Sequence, residues 1–380
     1  MKRSLATMAQ NIPLTMRSLA ITKHTRPSGY QVLELPVPTI EAPDDVLIRV
    51  HAAAIMTGDT QYARGGGKLL GMPTEFPFKL GMEGAGVVVA IGSGVKSLRV
   101  GDAVYGLYFK HGNFPLPRPG FVSDYTVVPA DILLLKPPHL SFEQAAALAG
   151  TICTQYQCLK RYFALANEPL DGATLEGKTV FVPGALSATG SMAVQIVKNI
   201  FGASRVISTV STPKMGLVEQ HLPGLVDQLV DYKTQDVVSV VGKGTVDFVF
   251  NTQWDMVRTG FPLANPETGI VVSLASWPSA AIARSMFGAA NVPFYVIWFA
   301  TLAHWYYAWK LRGTNIKVEF VSGNPGKRED LEKAGEWVAS GKLTPVMTVV
   351  SLDDIQAVRR ASEMVAAGKG GLGKLVIKIV

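Results

Sequence analysis

The 380-residue chain contains only two cysteines, Cys153 and Cys158. Two thiols so close in sequence offer neither a disulfide framework nor a zinc cluster, and they fit a reducing compartment. Charge is also sparse, with 17% of residues charged against 48% hydrophobic, which excludes a disordered chain. The net charge of +7 comes without a Lys/Arg-rich run or an aromatic-basic motif. Nucleic-acid binding is therefore not expected, whereas a diffuse attraction for anionic small molecules such as nucleotides is. An apolar secretory segment is lacking, so a cytoplasmic location is expected. The first 33 residues lack Asp and Glu. A mitochondrial presequence has that character, but we read residues 1–16 as a disordered tail before a first strand at about Arg17. Mitochondrial or membrane-associated placement is the alternative.

A second gap in charge runs from Ser285 to Trp309, "SMFGAANVPFYVIWFATLAHWYYAW". It reaches the roughly 20 residues that a membrane span needs. Pro293, His304 and the flanking α/β pattern oppose a span. We read it as a buried helix that walls a pocket or packs at a subunit interface, with membrane contact through 285–309 as the alternative.

The length suits two domains. Residues 17 to about 140 are β-rich, as in "DDVLIRVHAAAI" and "GAGVVVAIGSGV". "SFEQAAALAGTICTQYQCLKRYF" then reads as helical, with Ser141 as N-cap and Glu143–Gln144 in the first turn. After Gly177, strands are expected near 179–183, 205–210, 228–231, 246–250, 270–275 and 316–321, with helical stretches between most of them. Such alternation implies a parallel sheet with helices on both faces. From about Leu343 the chain returns to β runs around one helix, Asp353 to Ala367, in a position to complete the first sheet.

The first strand–helix unit of the alternating stretch reads "TVFVPGALSATGSMAVQIVKN". Small residues between Gly184 and Gly190 let a pyrophosphate approach the backbone, and the following helix offers unpaired N–H groups and a positive dipole end. Met192, Ala193, Ile196, Val197, Ile200 and Phe201 give that helix one apolar face. Leu186 occupies the place of the second Gly in G-x-G-x-x-G. The next strand leads into Ser208, Thr209, Ser211, Thr212 and Lys214, with no acid between Glu176 and Glu219. Hydroxyls and an ammonium hold a 2′-phosphate that a carboxylate repels, so NADP(H) is expected rather than NAD.

In order, "VHAAAIMTGDTQYARGG", "GMEGAGVVVAIGSGVKSLRVGDAVYG", "SDYTVVPADILLLKPPHLSFEQAAALAGTICTQY", "VFVPGALSATGSMAVQIVKNIFGASRVISTVST", "DQLVDYKTQD" and "GKLVIKI" resemble the medium-chain dehydrogenase/reductase superfamily, in its zinc-free quinone-reductase and enoyl-reductase branch. The resemblance implies an α/β fold: a GroES-like β-rich catalytic domain, 17–150 completed by 341–380, and a Rossmann doubly wound parallel-sheet domain, 151–340. It also implies a homodimer. Where zinc-dependent members carry ligands, this chain has Met56, Met82 and Gly150, and two thioethers and a glycine cannot form a catalytic zinc site. Glu83 is read as a structural partner beneath the cofactor site.

Carried over by position, the resemblance implies cofactor contacts from Thr154, from Ser187, Ala188, Thr189 and Gly190, and from Ser211, Lys214 and Tyr232. It adds Asn251, Thr252, Ser273, Leu274, Ala275 and Lys374. The implied reaction is hydride transfer from NADPH to an activated carbon–carbon double bond or quinone of a bulky apolar small molecule. A trans-acting enoyl reductase, or an NADPH binder without turnover, is the alternative. Tyr62 is the candidate proton donor, with Gln61, Lys110 and His111 as further candidates and water as another source.

Overall fold

The computed structural model describes residues 12–70, 74–109, 120–288, 292–324, 327–368 and 371–380. Its first unit is built on β1 (Thr15–Ile21), β2 (Gln31–Pro36), β3 (Asp45–Ile55), β4 (Phe78–Lys79), β5 (Glu83–Ile91), β6 (Ala103–Leu107), β7 (Tyr125–Pro129) and β8 (Leu133–Leu135). The first strand begins two residues ahead of Arg17 and pairs antiparallel with β2 and β4. Residues 1–11 of the expected tail lie outside the described residues.

The central unit carries β9 (Thr179–Val182), β10 (Arg205–Val210), β11 (Gln228–Asp231), β12 (Phe248–Asn251), β13 (Ile270–Ser273) and β14 (Lys317–Phe320). All neighbouring pairs among them are parallel, in the order β11-β10-β9-β12-β13-β14. Counted within the unit this is 3-2-1-4-5-6, the order of a dinucleotide-binding sheet, with its switch point beside β9. Burial explains the composition. Val180, Phe181, Val182, Phe248, Val249 and Phe250 are buried because helices cover both faces.

Two strands follow, β15 (Met347–Ser351) and β16 (Lys374–Lys378), around the helix Ile355–Ala366. They rejoin the first sheet, whose order is β15-β16-β3-β5-β6-β8, with β7 also on β3. β16 lies parallel to β15 and antiparallel to β3, so the last strand is an interior one. Its side chains Leu375, Val376 and Ile377 are buried accordingly.

Local chemistry sets the helix ends. Ser141 accepts the Gln144 N–H at 3.1 Å while the Gln144 side chain takes the Ser141 N–H at 2.9 Å, a reciprocal cap. The expected 141–163 helix is broken near Leu148 into Phe142–Ala146 and Ala149–Ala166, and the second ends on Asn167 in the left-handed conformation at φ 61°.

Of the two readings of the aromatic segment, burial as the wall of a pocket within the chain is the one the structure does not show. The segment forms the helices Ala280–Phe287 and Phe294–Lys310, but the second is not buried within the chain. Only Ala300 of that helix is fully enclosed, while Phe294 is 85% and Trp305 75% exposed. Among the described residues, no helix is long and apolar enough to cross a membrane.

Candidate active site at the carboxyl ends of the parallel strands

The candidate site starts where β9 ends. Gly184 has φ +78°, a conformation that favours glycine, and a Cβ at Gly190 would lie 2.1 Å from the Gly184 carbonyl oxygen. The turn therefore closes tightly into the helix Ala188–Gln195. Ser187 caps that helix by accepting the Gly190 N–H at 2.9 Å. Met192, Ala193, Ile196, Val197 and Phe201 are buried and Ile200 half-buried, so the apolar face read from the sequence packs onto the sheet. Gly184, Ser187, Ala188 and Thr189 remain partly open to solvent. An accessible turn of small residues at a helix N-terminus, beside the switch point, fits the pyrophosphate of a nicotinamide dinucleotide.

The neighbouring strand ends are tied to this turn. The Gly184 N–H donates to Thr209 Oγ1 at 3.0 Å, and the Thr252 hydroxyl donates to the Pro183 carbonyl at 2.5 Å. The buried Asn251 amide donates to Ser273 Oγ at 2.8 Å and to the Ala275 carbonyl at 3.3 Å. Asn251 and Ser273 thus direct polar atoms at each other, while Thr252 and Leu274 are only half-buried beside them. Thr154 donates to the Gly150 carbonyl at 2.7 Å and packs so closely on the segment after β14 that a Cβ at Gly323 would meet its Oγ1 at 2.0 Å.

At the other side of the switch point, Ser211 and Lys214 follow β10. The Lys214 ammonium donates to the Gly371 carbonyl at 2.9 Å, and partial burial lowers its pKa below the ordinary lysine value. Tyr232 is half-exposed, with the Lys233 ammonium 5.3 Å from its ring centroid. Sequence reasoning missed Asp231. This nearly buried carboxylate ends β11 and accepts the Thr212 hydroxyl at 2.6 Å. That bond first, and the Lys233 N–H next, hold its carboxyl below the usual range, against partial desolvation. The loop after β10 lacks an acid of its own, but the adjacent strand supplies one. Its signal was the Asp inside "DQLVDYKTQD".

The segment leading into β16 lies against the turn. The Gly373 N–H donates to the Leu186 carbonyl at 3.0 Å, and Gly373 has φ +64° with no room for a Cβ beside the Val346 carbonyl. Lys374, expected at the cofactor, places its ammonium on Glu83. Glu83 is fully buried and accepts the Gly150 N–H at 2.8 Å. A Cβ at Gly150 would stand 2.9 Å from the same carboxylate oxygen, so this position must stay small here. Met82 is buried and Met56 packs on the same apolar cluster. Among the described residues no group of three His, Cys, Asp or Glu is placed to hold a metal ion.

Tyr62 is half-buried against the apolar cluster of the first unit that includes Leu19, Ile21, Phe78 and Phe121. Gln61 is exposed. Lys110 and His111 lie outside the described residues.

Residues 42–138 match the alcohol dehydrogenase GroES-like domain family, and residues 226–377 match the zinc-binding dehydrogenase family. The chain belongs to the medium-chain dehydrogenase/reductase superfamily. It is 33% identical to a chloroplastic NADPH-dependent alkenal/one oxidoreductase of Arabidopsis thaliana, over 63% of this chain and 58% of that protein. The chain thus matches little more than half the length of this relative. It is 27% identical to a trans-enoyl reductase of Aspergillus terreus over 98% of both chains. Its fold is similar to the quinone oxidoreductase of Coxiella burnetii, with a TM-score of 0.71, 22% identity, and coverage of 96% of this chain and 100% of that one.

Proposed function

We propose that the protein is a zinc-independent reductase that takes hydride from NADPH to an activated carbon–carbon double bond. The observation that carries this reading is the Gly184–Gly190 turn at the switch point of the parallel sheet, paired with Met56, Met82 and Gly150 at the places of the zinc ligands. Bound there, the nicotinamide supplies the hydride. The chain supplies position and electrostatics. Helix N–H groups after Ser187 meet the pyrophosphate, and Ser211, Lys214 and Tyr232 surround the adenosine end. Thr154, Thr252, Ser273, Leu274 and Ala275 border the nicotinamide end. Ala188, Thr189 and Gly190 belong to the pyrophosphate turn, and Asn251 braces the floor through Ser273.

Hydride addition β to a carbonyl leaves an enolate, which needs a donor for its oxygen and a proton at the α-carbon. Tyr62 or water fills that role in this reading. An enone or enoyl substrate is favoured by the two relatives together, since one is an alkenal/one oxidoreductase and the other a trans-enoyl reductase. The latter, aligned along nearly its whole length, favours an enoyl thioester on a carrier as the second reading.

The test follows NADPH consumption with a panel of enones, 2-enoyl thioesters and quinones, with calorimetry for cofactor affinity. Turnover of enones or enoyl thioesters is expected. Affinity without any turnover would favour a non-catalytic NADPH binder, and absence of affinity for NADPH and NADP would overturn the whole reading.

A further inference from the structure

The helix Phe294–Lys310 is apolar nearly all round, a pattern ordinarily found in a core. Here one narrow side docks it. Ala300 is buried, Tyr307 packs edge-on against Phe261 at 5.8 Å between ring centroids, and His304 Nε2 lies 3.0 Å from the Trp277 carbonyl. The opposite side presents Phe294, Trp298, Leu302, Trp305 and Trp309 to solvent. These residues recur every three to four positions, so they form one continuous stripe.

Charge defines what covers that stripe. From residue 268 to 318 the sequence contains no Asp or Glu, but it contains Arg284, Lys310, Arg312 and Lys317. The Lys310 ammonium stands 5.0 Å from the Trp309 ring centroid and 5.6 Å from that of Tyr306. Trp305, Tyr306, Ala308, Trp309 and Arg312 line a groove of about 340 Å³. Exposed indoles and phenols beside cations, with no anion among them, match the interface of an anionic bilayer, where aromatic rings settle at headgroup depth and Lys or Arg meets phosphate. A second copy of the chain fits less well. A two-fold contact through this stripe would bring two sets of cations to one seam, and 268–318 offers no carboxylate to pair them.

We propose that the helix Phe294–Lys310 lies in the surface of an anionic phospholipid membrane, peripheral to it and not across it. The aromatic stripe is immersed and Lys310 and Arg312 contact lipid phosphates. An apolar substrate partitioned into that membrane would then be delivered at the surface where the protein sits.

The test is co-sedimentation of the purified full chain with vesicles of phosphatidylcholine alone or mixed with phosphatidylserine. Three of the six tryptophans lie on the stripe, so intrinsic fluorescence reports immersion directly. Binding to the mixed vesicles with a blue-shifted emission, weakened by salt, is expected. Lys310→Glu with Arg312→Glu should lower partitioning roughly tenfold or more, and Trp305→Ser with Trp309→Ser should lower co-sedimentation as well, with Trp298 left to report any residual immersion. These positions are exposed, and an unchanged melting temperature checks the variants. Absence of binding to the mixed vesicles would overturn the proposal, as would equal binding to both vesicle types. A dimer that Trp305→Ser converts to monomer would assign the stripe to a second copy instead.

Discussion

Lys374 and Glu83 form a buried ion pair, with 8% and 0% of their surfaces exposed. Glu83 belongs to β5 and Lys374 opens β16, so the pair links two strands that both flank β3. Removing one partner strands the other charge away from water. Lys374→Met is expected to cost about 3–5 kcal/mol. The double variant Glu83→Gln with Lys374→Met should recover much of that loss in urea unfolding. Additive losses would show that the two groups are not coupled.

Lys214→Ala should weaken NADPH binding by about 1.5–3 kcal/mol while leaving NADH nearly unchanged. Because burial lowers the pKa of Lys214, the preference for NADPH should also decline as pH rises through that lowered value and the ammonium is lost. Calorimetry with both cofactors across alkaline pH reads both effects. Equal losses for the two cofactors would remove Lys214 from the 2′-phosphate.

Asp231 gives the opposing control. If its carboxylate repels the 2′-phosphate, Asp231→Asn should tighten NADPH and leave NADH alone. If it instead holds ribose hydroxyls, the same change should weaken NADH. Ratios of kcat/KM for the two cofactors distinguish these outcomes.

His51 predicts an acid-side loss of stability. Its ring stacks on Phe142 at 4.2 Å, and burial first, with Arg49 adding repulsion and Glu143 opposing, lowers its pKa below the ordinary 6.5. The folded state therefore binds this proton less readily than the unfolded chain. The contribution is complete above about pH 6.5 and declines as pH falls toward the lowered value. Melting temperatures from neutral to mildly acid pH should fall, and His51→Phe should flatten that part of the profile.

The two thiols should resist alkylation in the native state. Burial raises the pKa of Cys153 to about 12 and that of Cys158 well above its usual value, so little thiolate exists at neutral pH. A thiol-reactive dye should label the native chain slowly and the urea-unfolded chain at once. Rapid native labelling would show that the helix Ala149–Ala166 opens readily.

The parallel strands were legible because each is a short apolar run between turns, and the Ser141 cap and the Gly184–Gly190 turn were legible because their chemistry is local. Partnerships between distant segments were not. Glu83 and Lys374 each drew notice alone, but nothing in their spacing shows that one neutralises the other. Asp231 was overlooked because parallel pairing, not sequence proximity, sets it beside Thr212. The aromatic helix was legible only in part, for a different reason. An unbroken apolar run states that burial is favourable, but it does not state whether the covering surface belongs to the same molecule.

The placement of β16 between β15 and β3 has a consequence for synthesis. A nascent chain leaving the ribosome would have the β1–β8 segment ready long before the strand that fills the gap beside β3. Until Leu375 reaches Ile55, residues 52–55 of β3, beyond the part that β7 covers, have an open edge, a template for unwanted pairing between chains. The central parallel unit can fold in that interval, and its completion brings the last strand to the first unit's sheet.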